Sequence, residues 1–274
     1  MSKVSIILLN YNSYEDTLAL IKNIKKKINY NDYVIIVVDN CSTNESHNIL
    51  SEQSKILNYY YISNNNNSGY AAGNNLGIRF AYSLESEYSW ILNNDILLSD
   101  NNVLLKMIEL VENNDAIAAV SPIVLKPSGG EDYPFIEKPT VWNMTFGYLA
   151  YKKRRHRETR CSTQVYRPQG CCMLLKNKSL KLIDEMDERT FLYCEEEILA
   201  ERLAKIDKQC WICAETNVIH NHSKTIYSVM KKKKIVKYTI QSSNLYWKEY
   251  RKINSKLIRA LVLLFKAMIT YISY

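Results

Sequence analysis

Glycine and proline are scarce in this 274-residue chain, at seven and five residues. That scarcity excludes collagen-like, linker-rich and low-complexity chains. The few there are cluster. All five prolines lie between Pro122 and Pro168, and Gly69, Gly73 and Gly77 share one nine-residue stretch. Such clustering points to positions where backbone geometry demands glycine. Paired metal-binding cysteines are also lacking: Cys210-Trp-Ile-Cys213 is a lone CxxC with no second pair, which argues against a zinc ribbon. The seven cysteines, odd in number and irregularly placed, fit reduced thiols in a cytosolic setting. Asn10 and Asn12 interrupt the N-terminal run where a secretory leader would need apolar residues, so no targeting signal is expected.

What is present describes a packed globular chain. Apolar residues make up 47%, too many for disorder, and 36 Lys and Arg against 28 Asp and Glu give a formal charge of +8. The length suits one large α/β domain or two small ones. Val4–Leu9 and Tyr33–Val38 are continuous apolar runs rich in β-branched residues, as in parallel strands buried on both faces. Leu57–Ile62 and Ser89–Leu92 read as two more strands, with helices expected over Tyr14–Lys27, Asn44–Gln53 and Ala71–Leu84. Alternating strands and helices define a mostly parallel sheet flanked by helices. Ligands bind such sheets beyond the carboxyl ends of the strands. That rule brings four polar turns, Asn10–Asn12, Asp39–Ser42, Asn64–Gly69 and Asn93–Asp95, to one edge.

Further along, a helix and a strand are expected from Leu104 to about Ala119. Ser121–Pro168 reads as an elaborated loop region, and Cys171–Leu175 as a strand. Phe191–Leu203 has helical periodicity, and Cys210–Ala214 and Val218–Ile219 read as strands leading to His220.

The motifs in order are Val4-Ser-Ile-Ile-Leu-Leu-Asn-Tyr-Asn12, Ile36-Val-Val-Asp-Asn-Cys-Ser-Thr43, Asn67-Ser-Gly-Tyr-Ala-Ala-Gly-Asn-Asn-Leu-Gly77 and Trp90-Ile-Leu-Asn-Asn-Asp95. Gly170-Cys-Cys-Met-Leu174, Asp187–Glu188, Phe191-Leu-Tyr-Cys-Glu-Glu196 and His220 follow. Together they resemble the nucleotide-sugar glycosyltransferases of family 2, and within it the rhamnosyltransferase-like branch of bacterial surface polysaccharide assembly. The resemblance spans roughly residues 4–222 and implies a GT-A fold. It implies a domain over residues 1–226, with a donor half over 1–100 and an acceptor half over 101–226. A basic amphipathic helical tail occupies 227–274.

By that resemblance, Asn10, Tyr11, Asn12 and Asp39 meet the nucleoside, and Asn67, Gly69, Gly73 and Asn75 the diphosphate. Each has a plainer reading. Asp39 can cap a turn, the asparagines can serve turn chemistry, and Gly73 and Gly77, on one helix face, suit close packing on the sheet. Asn93, Asn94 and Asp95 stand at the family's DxD metal motif, with Asn93 in place of the first carboxylate. Asp95 and His220 then become ligands for a divalent cation, Mn²⁺ or Mg²⁺, with His222 a near neighbour that could replace His220. Glu196 takes the place of the general base, with Glu195 the other candidate. An acidic first helical turn, favoured by the helix dipole, accounts for the same residues.

The resemblance implies sugar transfer with inversion from a UDP- or dTDP-sugar to a glycan or lipid-diphosphate-linked acceptor. A non-catalytic membrane-associated scaffold with a degenerate site is the alternative, motivated by Asn93 and by Glu where the family usually has Asp. A nucleotidyltransferase would want a triphosphate-binding loop that Asn64–Gly77 lacks. The basic run Lys152–Arg157 has no aromatic platform or reading helix beside it, so nucleic acid is not expected as a partner. Lys231–Lys234 and the apolar Leu257–Tyr274 suit an interfacial helix at an anionic membrane surface, with packing on the catalytic domain or on a second copy of the chain as the competing reading. The expected location is the cytoplasm, peripheral at the inner face of the cell membrane.

Overall fold

A computed structural model of the chain describes residues 3–155, 158–221 and 231–273. His222, the last two residues of the basic run Lys152–Arg157 and the start of the tail lie outside these. The first half alternates strictly: β1 (Val4–Asn10), α1 (Tyr14–Lys27), β2 (Tyr33–Asp39), α2 (Ser46–Ile56), β3 (Tyr60–Ser63), α3 (Tyr70–Ser83) and β4 (Tyr88–Leu92). Then come β5 (Ile96–Leu98), α4 (Val103–Glu112), β6 (Ile117–Leu125), α5 (Tyr148–Arg155), β7 (Thr163–Val165), β8 (Cys172–Lys176), α6 (Asn177–Leu182), α7 (Glu195–Ala204) and β9 (Gln209–His220). The tail is α8 (Lys232–Leu245), a π-helical turn over Tyr246–Tyr250 and α9 (Lys256–Ser273).

One mixed sheet runs in the order β3-β2-β1-β4-β8-β6-β9-β5, with β7 also paired to β9. Strands β1 to β4 are parallel where they pair, and β8 runs antiparallel to β4 and β6. Period-two alternation builds two cores. Ile6 and Leu8 of β1 with Ile35 and Val37 of β2 pack toward α1 and α4. Ile7, Ile36 and Val38 pack toward α3, α6 and α7. The register Asn10↔Asp39↔Ser63 ends three strands at one level, which sets the polar turns side by side.

Three expectations change. The strand expected over Leu57–Ile62 begins only at Tyr60, because Asn58 turns at φ 46° after α2. The supposed loop region beyond Ser121 holds the end of β6, then α5 and β7; β6 continues through Pro122, where its register with β9 shifts. The helix read from Phe191 starts at Glu195, since Tyr193 and Cys194 both have positive φ, 75° and 66°. The tail packs on the rest of the chain: Tyr246, Trp247 and Val262 bury against Cys194 and Ile198 of α7 and its lead-in.

Candidate active site

At the first two turns the polar side chains satisfy one another. Asn10 Nδ2 donates to Asp39 Oδ1 (2.7 Å) and to Ser42 Oγ (3.1 Å), while Ser42 Oγ and its backbone N–H donate to Asp39. Thr17 Oγ1 donates to Asn10 Oδ1, and Asn94 Nδ2 donates to Ser13 Oγ (2.6 Å) and Thr17 Oγ1 (3.2 Å). Asn10, Asp39 and Asn94 are therefore buried hubs tying β1, β2, α1 and the Asn93–Asp95 turn together. Asn12, at φ 57°, accepts from the Thr43 N–H through Oδ1, and Tyr11 is half-buried beside it.

The glycine motif joins this edge through a residue with no assigned role. Asn40 Nδ2 donates to Asn67 Oδ1 (3.0 Å) and to the Gly69 carbonyl (3.1 Å), and Asn40 Oδ1 accepts from Asn64. Asn40 lies inside the Asp39–Ser42 turn, so its place was legible but its partners were not. Gly73 and Gly77 press on the Leu9 and Ile7 side chains; a Cβ there would come within 2.6 and 2.5 Å of them. Asn75 is not brought to the edge. Its amide bonds the Met186 backbone on both sides and Glu188 Oε1, pinning a distant turn to α3.

Gly69 connects this edge to the acidic helix. At φ 100°, its missing Cβ would fall 2.3 Å from the Phe191 carbonyl oxygen, and the Tyr70 N–H donates to that same oxygen at 2.9 Å. The Tyr70 hydroxyl donates to the Gly170 carbonyl (2.7 Å) and reaches Asn93 Oδ1 at 3.4 Å. A Cβ on Gly170 would in turn sit 2.0 Å from Glu196 Oε1. Asn93, Tyr70, Gly170 and Glu196 are thus one contiguous wall.

The two candidate carboxylates differ. Glu195 is buried, and its Oε1 takes no hydrogen bond from the described residues. Burial, then the neighbouring Glu196, pushes its carboxyl well above the usual range. The Glu196 side chain keeps 21% of its exposure. Its carboxyl is also raised, by burial first, but the Arg167 guanidinium pulls it back. Arg167 is buried, stacked 3.7 Å over the Phe135 ring, with its nitrogens 3.7 Å from Glu196 Oε1 and 3.2 Å from Glu197 Oε1. Nothing in the sequence marked Arg167, which lies far from the acids along the chain and reaches them only through the fold.

Asp95 and His220 come together because β5 pairs with β9 in the register Ile96↔His220, locked by the Asn221 N–H donating to the Asp95 carbonyl. Asp95 Oδ1 is shielded from solvent, and His220 Nε2 stands 3.0 Å from it. Two ligands at right angles, each about 2.1 Å from an octahedral ion, stand about 3 Å apart, so the pair fits neighbouring positions of one Mg²⁺- or Mn²⁺-like shell. Among the described residues no third His, Cys, Asp or Glu joins them. The remaining ligands would have to be phosphate and water oxygens.

This edge sets polar turns, the Asp95–His220 pair and a raised carboxylate at the strand ends of one mixed sheet. The chain is a member of glycosyl transferase family 2, whose family model matches residues 5–183. It is 26% identical over 222 residues to the low-salt glycan biosynthesis hexosyltransferase Agl10 of Haloferax volcanii, covering 81% of this chain and 68% of that protein. Its fold is shared with a mannosyltransferase of Pyrobaculum calidifontis solved with GDP-Man and Mn²⁺ (TM-score 0.62, 14% identity, 99% of this chain and 73% of that one). It is shared equally with TarS of S. aureus solved with UDP-GlcNAc (TM-score 0.61, 15% identity, 99% and 73%). The expected α/β GT-A architecture is the one observed.

Proposed function

We propose that this family 2 glycosyltransferase moves one sugar, with inversion, from a UDP- or dTDP-sugar to a glycan or lipid-linked acceptor in surface polysaccharide assembly. The observation that carries the reading is the single wall from Asn93 through Tyr70 and Gly170 to Glu196. It runs from the turn that would meet the donor diphosphate to a carboxylate that could take a proton. In the reaction, the Glu196 carboxylate accepts the proton of the acceptor hydroxyl as that oxygen attacks the anomeric carbon opposite the diphosphate. Burial raises the Glu196 carboxyl, which favours it as a base, while the Arg167 guanidinium opposes that rise. Burial and the neighbouring Glu196 push the Glu195 carboxyl well up, which disfavours a second charge beside Glu196.

Asp95 and His220 would hold a divalent ion, Mn²⁺ or Mg²⁺, which neutralises charge on the departing nucleoside diphosphate. Asn12, Tyr11 and the backbone around Asp39 and Asn67 would line the base and ribose, with Asn10, Asn40 and Asn94 holding that lining in shape. Gly73 serves packing, and Asn75 a turn outside the pocket. The enzyme is assigned to the cytoplasmic side, next to the membrane that carries a lipid-linked acceptor; no helix among the described residues is long and apolar enough to cross one.

Thermal-shift screening against UDP, dTDP and GDP sugars with Mn²⁺ tests the reading. One nucleotide class should raise the unfolding temperature only when the ion is present, and Asp95→Asn should remove the ion-dependent part of the shift. No shift with any donor would overturn it.

A further inference from the structure

Helix α9 is apolar on two opposite faces. Val262 and Thr270 turn inward and are buried. Leu257, Leu264, Met268, Tyr271 and Ile272 lie on the other side, each more than half exposed. A contiguous exposed apolar stripe of this kind marks a contact surface. A second exposed set adjoins the stripe. Trp142, Phe146 and Leu149 lead into and begin α5 at helical spacing, and Leu149 is 79% exposed. The Phe146 ring meets Phe265 of α9 edge-on at 5.4 Å, and Trp142 at 6.0 Å, so the two sets form one patch. Gly147 makes room for the Trp142 indole, which a Cβ would approach to 2.5 Å.

Cations border this patch. Lys152 and Lys153 are exposed on α5, with Arg154 beside them paired to Glu137. Lys232 Nζ lies 3.9 Å over the Tyr271 ring, bringing the Lys231–Lys234 run to the end of the apolar stripe. Residues 231–273 contain eleven Lys and Arg and a single acid, Glu249, so the tail is more positive than the whole chain at +8. A second copy of the chain is a poor complement, because a two-fold contact would bring these cations onto themselves. An anionic bilayer matches both features: large apolar side chains for the acyl boundary and lysines for the headgroups.

We infer that the face formed jointly by Trp142–Arg154 and the outer stripe of α9 is the membrane-docking surface, its two halves engaging one anionic bilayer together. This deepens the membrane-proximal reading above and goes beyond a tail that anchors alone. Docking by two elements joined at Phe146 and Phe265 fixes how the domain faces the lipid, whereas a lone helix would leave it free to swing.

The test is co-sedimentation of the full chain with vesicles of equal parts phosphatidylglycerol and phosphatidylcholine. The triple variant Trp142→Ser, Phe146→Ser, Leu149→Ser leaves α9 intact and, being on the surface, should keep the unfolding temperature. Its vesicle affinity should drop at least about a hundredfold, from the apolar area no longer buried. Lys152→Glu with Lys153→Glu should weaken binding mainly at low salt. Glu196→Gln should sediment like the parent chain, so a failure of docking is distinguishable from a failure of the enzymatic reading. The inference is overturned if the triple variant binds as the parent does, if the parent sediments equally with pure phosphatidylcholine, or if it does not sediment and is instead a dimer in solution.

Discussion

The two sides of the site hold their polar groups by different means. On the side we propose receives the donor, Asn10, Asp39, Ser42, Asn40, Asn64 and Asn67 bond to one another, and the result is a saturated, neutral-to-anionic lattice. On the side we propose receives the acceptor, the adjacent carboxyls of Glu195, Glu196 and Glu197 stand with the buried Arg167 and are positioned by packing on Phe135 and Gly170. A network of mutual hydrogen bonds rigidifies. The carboxyls that burial raises, those of Glu195 and Glu196, hold proton affinity ready for use. The first side is built to keep a shape, the second to do chemistry.

The two glycines that touch the acidic segment sharpen this contrast most. Gly170 faces the far end of Glu196, which can swing away, so Gly170→Ala should leave thermal stability nearly unchanged. It should lower kcat about a hundredfold by displacing the carboxylate, the scale of loss expected from a misplacement of about 1 Å. Gly69 faces the Phe191 backbone at φ 100°, so Gly69→Ala should instead cost about 1–3 kcal/mol of stability, measured by denaturant unfolding. If both variants lost only stability, the acceptor wall would be a scaffold like the donor side.

Much of the donor side was legible from the chain because parallel strands buried on both faces read as unbroken apolar runs ending in polar turns. The close approach of Gly69 to Phe191 and the packing of Gly73 and Gly77 were visible only as glycine spacing. The acceptor side was less legible. Pro122 suggested a loop where β6 continues with a shifted register, and the apolar spacing of Phe191–Cys194 suggested a helix where two positive φ angles form a turn. Asn75 matched a motif, yet its amide is spent on Met186 and Glu188. Arg167 carried no local signal, since its chemistry comes from contacts made across the fold.

Two smaller effects test the electrostatics of the acceptor side. Arg167 opposes the upward push that burial gives Glu196, so Arg167→Met should move the acidic limb of kcat/KM to higher pH, because the base must be ionised to act. Arg167→Lys should restore part of the profile, and an unmoved limb would remove Arg167 from the account. Asp187 joins the segment before α7 to the tail through Arg189 and Tyr250. Burial alone would raise its carboxyl, but those hydrogen bonds hold it at about 2, against an ordinary value of 3.8. That contribution to stability is complete above about pH 4 and fades as pH falls toward 2. Asp187→Asn should therefore lower the unfolding temperature at neutral pH and match the parent chain near pH 2.

The central claim is that Glu196, and not Glu195, is the base of a working transferase. The direct measurement is nucleoside-diphosphate release across a panel of UDP, dTDP and GDP sugars with Mn²⁺ and lipid-linked or glycan acceptors, using the parent chain, Glu196→Gln and Glu195→Gln side by side. The account predicts release by the parent with at least one donor, a loss of roughly 10²–10⁴-fold in kcat for Glu196→Gln, and a far smaller loss for Glu195→Gln. Undiminished release by Glu196→Gln, or no release by the parent across the panel, would contradict it.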